Sequence, residues 1–90
     1  MKTNKFDIAE HLHSDEDIKE FLTEVSQTGT SNDFIHALNI ASRAKGMTDV
    51  ANQAGVNRQS LYKSLSENGT PKFDTIKKVV EALGCKIVIV

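Results

Sequence analysis

Cysteine and proline each occur once in the 90 residues, and tryptophan does not occur at all. A single thiol, Cys85, cannot close an internal disulfide or build a four-thiolate metal site, so a disulfide-stapled secreted scaffold and a zinc finger are both excluded. No apolar run approaches the ~20 residues that cross a bilayer. The start, Met1-Lys2-Thr3-Asn4-Lys5, runs into Phe6-Asp7-Ile8 without the apolar centre of a signal peptide. The expected location is therefore the cytoplasm, with no membrane partner. A chain this short buries only about two-thirds of the surface its unfolded form exposes, which leaves little room for a deep enclosed active site beside a core. Nothing in it builds a catalytic triad or a phosphate-cradling loop, so an enzyme is not expected. His11 and His13 stand two apart and do not share a helix face, so neither a metal nor a cofactor is expected there.

Neither sign of charge dominates: 11 Lys and Arg stand against 12 Asp and Glu. The halves differ, however. Residues 1–45 carry five basic and eight acidic residues, for −3, while residues 46–90 carry six basic and four acidic, for +2. A polyanion would therefore meet the second half.

The apolar pattern is helical almost throughout. Ser14, with Asp17 three residues on, opens a helix over 15–27 in which Ile18, Phe21, Leu22 and Val25 recur on one face. Ser31 is expected to cap a second helix over 32–45, with Phe34, Ala37, Leu38, Ala41 and Ala44 inward and Gly46 as its stop. Thr48 opens a short segment, 49–54, closed by Gly55; Asn57 then caps a helix with Leu61 and Leu65 inward that runs to about Glu67. Phe73, Ile76, Val79, Val80 and Leu83 mark a last helix over 73–83, with Phe73 and Ile76 in the core. The β-branched tail 86–90 predicts a strand, paired with the segment near Lys5-Phe6-Asp7-Ile8 or with a second copy. The stretch before Ser14 is read as a short helix around Asp7–Leu12 or as partly mobile. The expected fold class is all-α: a five-helix helix-turn-helix domain with a C-terminal strand. It divides into an N-terminal helical extension (1–30), the helix-turn-helix core (31–84) and a dimerising tail (85–90).

The two short helices around Gly55 carry the functional reading. Ala51 is small where the second helix crosses, Gly55 takes the left-handed turn, and Val56, Leu61 and Leu65 join the pair. Gln59, Tyr62, Lys63 and Ser66 then fall on one polar face, with Arg58 one turn before Tyr62. Arg reads guanine and Gln reads adenine bidentately in the major groove, so Arg58 and Gln59 are the leading base readers, joined by Tyr62 and Lys63. Candidate phosphate contacts flank this helix: Thr48, Asn57, Asn68, Gly69, Thr70 and Lys72.

Two stretches, Ala44 to Leu65 and Gly69 to Gly84, resemble the Xre/Cro family of helix-turn-helix regulators and, within it, the HigA-like antidotes of toxin–antitoxin modules. The likeness lies in the Ala51, Gly55 and Leu61 spacing and in the Pro71-Lys72-Phe73-Asp74-Thr75-Ile76 helix start, with Phe6-Asp7-Ile8-Ala9-Glu10 extending it toward the N-terminus. The resemblance implies a homodimer on double-stranded operator DNA upstream of its own gene, with Arg58, Gln59 and Lys63 facing bases. It also implies a small RelE/HigB-like ribonuclease toxin as partner. The acidic first half, with Glu10, Asp15, Glu16, Asp17, Glu20 and Glu24, would complement a basic toxin. Two alternatives stay open: a stand-alone regulator without a toxin, and an interaction module that has lost DNA binding.

Overall fold

The computed structural model describes residues 7–66 and 69–89, and every regular element within them is helical. One 3-10 turn, Ile8–His11, precedes five α-helices: α1 (Asp15–Thr28), α2 (Ser31–Lys45), α3 (Met47–Ala54), α4 (Arg58–Ser64) and α5 (Phe73–Ala82). None is long and apolar enough to cross a membrane.

The helix starts are set by side chains that accept otherwise unbonded amide protons. Ser14 Oγ accepts from the Asp17 N–H at 3.1 Å, as the sequence spacing predicts, and the Asp17 carboxylate accepts from the His13 N–H at 2.9 Å. The cap of α2 is Thr30 rather than Ser31. Only Thr30 has an acid three residues later, and the pair closes a reciprocal box: Asp33 N–H to Thr30 Oγ1 at 3.1 Å, Thr30 N–H to the Asp33 carboxylate at 2.9 Å. α3 likewise opens at Met47, ahead of Thr48, because Gly46 at φ 120° turns the chain directly from one helix into the next.

α1 packs on α2, and α3 packs on α5, α4 and α2. Ile18 and Leu22, Leu38 and Ala41, Val50 and Ala51, Leu61 and Leu65, and Val79, Val80 and Leu83 meet in one core. Ile76 joins it half-buried, as does Cys85 in the manner of a small apolar side chain.

Two further expectations are corrected. Phe73 is 65% exposed instead of buried. It is the first residue of α5, and helical side chains lean toward the N-terminus, so its ring projects past the end of the helix rather than over the core. The tail forms no strand among the described residues: after the Cys85 N–H bonds the Val80 carbonyl at 3.0 Å, residues 86–89 form no ladder with any described segment. Of its expected intrachain partner, the described residues Asp7 and Ile8 do not pair with it. Asp7 caps the 3-10 turn, while Lys5, Phe6 and Val90 lie outside the described residues.

Candidate nucleic-acid interface

α3 and α4 are joined by a turn in which Gly55 stands at φ 72°, ψ 30°. Its N–H bonds the Asn52 carbonyl at 3.2 Å and the Val56 N–H bonds the Ala51 carbonyl at 3.0 Å, the paired bonds of a Schellman stop. Nothing lies within 4 Å of where a Cβ would stand, so glycine is needed there for its backbone conformation alone. The chain then enters α4 through Asn57, whose side-chain oxygen accepts from the Gln59 N–H at 2.8 Å and the Ser60 N–H at 3.2 Å. Leu61 and Leu65, 1% and 0% exposed, fix the inner face of α4 to the core.

The opposite face is open. Arg58, Gln59 and Lys63 are exposed, and Tyr62 is 55% exposed although it is an aromatic residue beside the core. These four lie at the i, i+1, i+4, i+5 positions of one seven-residue helix, so the structure brings them together on a single exposed flank. Arg58, Lys63 and Lys72 make no ion pair among the described residues, in contrast to Lys78, which engages Asp74 at 3.1 Å.

The flanking positions divide by what their backbone is already doing. Thr48 is exposed in the first turn of α3, and Lys72 is exposed at the start of α5. Neither of those helices carries a side-chain cap, so their first amides keep donors to offer an anion. α4 differs, since Asn57 already occupies two of its first-turn amides. The Gly69 N–H is likewise committed, to the Ser66 carbonyl at 2.9 Å. Gly69 stands so close to the backbone of Lys63 and Ser64 that a Cβ would collide with it, so its role is to let the chain fold back over the end of α4. Thr70 is exposed. Asn68 lies outside the described residues.

The first half of the chain keeps an exposed acidic flank on α1. Asp15 is held by Lys45 at 2.9 Å, but Glu16, Glu20 and Glu24 make no ion pair among the described residues. Among those residues, no group of three His, Cys, Asp or Glu side chains is placed to hold a metal.

Sequence reasoning missed Asn39, Arg43 and Asp7. Asn39 is buried in α2 and donates to the Leu65 carbonyl at 3.2 Å. Arg43 Nε donates to Asn39 Oδ1 at 3.3 Å, and its two terminal nitrogens reach the Asp7 carboxylate at 3.3 and 3.4 Å. The Arg43 guanidinium and the Ala9 amide together hold the Asp7 carboxyl below its ordinary range. The one available signal was an amide, Asn39, flanked by Leu38 and Ile40 and followed at i+4 by an arginine.

Comparison with known proteins bears on the whole chain. A family model described as "Probable addiction module antidote protein" matches residues 2–90. A protein of Haemophilus influenzae, described as uncharacterized, is 44% identical over 78 residues, covering 87% of this chain and 80% of its own length. No solved structure matches.

Proposed function

Since the chain belongs to the family of probable addiction module antidote proteins, we propose that it is the antitoxin of a type II toxin–antitoxin module and represses its own operon by binding DNA. The observation that carries the DNA-binding half is α4. It is a short helix fixed by Leu61 and Leu65 on one side, with Arg58, Gln59, Tyr62 and Lys63 exposed on the other, in a two-helix unit of helix-turn-helix type. In this reading α4 enters the major groove and Arg58 and Gln59, in its first turn, read bases. Tyr62 and Lys63 extend the contact by one turn. Thr48, Thr70 and Lys72 meet phosphates, with the uncapped starts of α3 and α5 supplying backbone donors.

One inserted helix reads only a few base pairs, so a homodimer on half-sites ~34–36 Å apart completes the site. Its contact surface is the apolar face formed by Phe73 and the tail, where Ile87, Val88 and Ile89 are 42%, 68% and 96% exposed. Deleting residues 86–90 should convert the dimer to a monomer in a solution mass measurement; an unchanged dimer places the contact elsewhere.

The family implies a toxin partner, and a RelE/HigB-like ribonuclease suits the exposed Glu16, Glu20 and Glu24 of α1, because a protein that cleaves RNA presents basic surface. Replacing these three with lysine should abolish toxin pull-down. Retained binding would move the toxin site off α1.

The deciding experiment is fluorescence anisotropy on a duplex from directly upstream of the gene, against a shuffled duplex at ~150 mM salt, where non-specific phosphate binding is weakened. Binding to the native duplex alone supports autorepression. Equal affinity for both, at every protein concentration, refutes it and leaves α4 as a protein-binding surface.

A further inference from the structure

α4 is only seven residues long, and its two ends are held by very different means. The first end has a local cap, Asn57. The far end is held by tertiary contacts that cross the domain. The carbonyl of Leu65 falls among the last carbonyls of the helix, which have no partner within it. Here that carbonyl is buried and receives the Asn39 side-chain amide, 26 residues away in sequence. Asn39 uses its other end as well, since its oxygen accepts from Arg43 Nε. Arg43 in turn spends its remaining fork on both oxygens of Asp7, 36 residues away, and Asp7 Oδ1 also accepts from the Ala9 N–H at 3.2 Å, which starts the 3-10 turn. An unbroken series of hydrogen bonds thus runs from the N-terminal segment through α2 to the end of α4. Asn39 and Arg43 also line, with Tyr62 and Ser66, the groove between α2 and α4.

We propose that Asp7, Arg43 and Asn39 are positioning residues that tie the order of α4 to the placement of the N-terminal segment, so that a partner which displaces the 3-10 turn loosens the DNA-reading helix. Each member has a reason for its chemical type. Asn39 must donate at one end and accept at the other, which aspartate cannot do. Arg43 must bridge an amide oxygen and a carboxylate at once, which needs the planar guanidinium fork and not a lysine ammonium. Asp7 must accept from Arg43 and from the Ala9 amide together. Serial hydrogen bonds polarise one another, so breaking the outermost one weakens the innermost. The structural part of this inference stands without any ligand; the effect on operator binding rests on the function proposed above.

The test is amide hydrogen exchange on the free full-length protein and on Asn39→Asp, Arg43→Lys and Asp7→Ala, followed by anisotropy on the upstream duplex. In Asn39→Asp, which removes the bond to the Leu65 carbonyl, the amides of Leu61 to Ser66 should exchange faster by a few-fold to about tenfold, the equilibrium worth of one hydrogen bond, and in Arg43→Lys and Asp7→Ala by up to about twofold, the share that reaches α4 by polarisation, while those of α1 and α5 keep their rates. Operator affinity should fall by a similar factor. Asp7→Ala should add nothing at α4 once Asn39→Asp is present, because both cut the same series. Unchanged exchange at α4 in Arg43→Lys and Asp7→Ala overturns the proposal. So does acceleration spread evenly over all the helices, which marks the three residues as ordinary stabilisers. If the wild-type chain fails to bind the duplex, exchange at α4 still decides the relay, and only the function proposed above is lost.

Discussion

Asn57 offers a way to separate the folding of α4 from the DNA contact proposed for it. Its side-chain oxygen accepts two amide protons, at 2.8 and 3.2 Å, and the helix it starts has only seven residues, so the first turn is a large part of the whole. Replacing such a cap with alanine costs about 1 kcal/mol. The Gln59 and Ser60 amides are at an exposed helix end where water replaces the lost acceptor, which keeps the loss near that value rather than near the penalty for a buried orphan. For a domain of this size, ~1 kcal/mol lowers Tm by about 4–8 °C. Arg58 and Gln59 belong to the turn that frays. If that turn must re-form on DNA, the same ~1 kcal/mol returns as roughly fivefold weaker operator binding. Asn57→Asp gives the opposite dissection. The carboxylate still accepts both amides and its charge suits a helix start, worth about 0.3–1 kcal/mol, so Tm should hold or rise. Yet the same charge beside the phosphate backbone should weaken DNA binding. Thermal unfolding by circular dichroism, paired with anisotropy, reads both effects. A Tm for Asn57→Ala equal to wild type, or an Asn57→Asp variant as unstable as the alanine one, would falsify the capping argument.

Gly55→Ala should cost about 1–2 kcal/mol in urea unfolding, the price of a left-handed residue with a Cβ, and Gly55→Asn clearly less, since nothing crowds the site and asparagine tolerates that conformation. Equal losses for the two would mean that the turn selects against size instead. Arg58→Ala should weaken operator binding by about 1–3 kcal/mol and relax preference at one base pair per half-site, while Lys72→Ala should weaken all duplexes alike and reduce the log–log salt slope by about one. A salt slope untouched by Lys72→Ala removes that residue from the phosphate contacts. The Asp7 carboxyl sits below its reference pKa of 3.8 in the folded chain, so its pairing with Arg43 adds stability above that value and loses it as pH falls through the lower folded value. Wild type should therefore melt above Asp7→Ala at pH 7, with the gap flat through neutral pH and closing in acid, below 3.8, as the carboxyl protonates. A gap that opens only in acid would reverse the sign and refute the pairing.

Much of this fold is written in short-range signals. Ser14 with Asp17, Gly55 after a short apolar segment, and Asn57 before Leu61 each specify a helix end within four or five residues, and each appears where the spacing places it. The exposed flank of α4 follows from the same periodicity once Leu61 and Leu65 are assigned inward. Thr30 was legible too, because the box needs an acid at the third helical position and only Asp33 stands there; Ser31 has Phe34.

What the periodicity could not supply is the environment beyond a helix end and the pairing of residues far apart in sequence. Phe73 satisfies the α5 stripe by spacing, since it is seven residues from Val80, yet it is exposed because the stripe continues past the point where the core stops. The tail has strand composition, but strand structure depends on a paired neighbour, and residues 86–89 form no ladder with any described segment. The same limit hid the Asp7, Arg43 and Asn39 series. Its links to Leu65 and to Asp7 join residues 26 and 36 apart, so no short window on the sequence contains both partners of either, and its members are ordinary helix-compatible types taken singly. Burial distinguishes Asn39 alone: an amide that loses water in α2 must find both a donor and an acceptor, and the fold brings the Leu65 carbonyl and the Arg43 guanidinium within reach of it. On the relay and the DNA-binding role proposed above, the order of α4 depends partly on residues outside it, so operator affinity should respond to changes in α2 and at the N-terminal segment as well as on the exposed face.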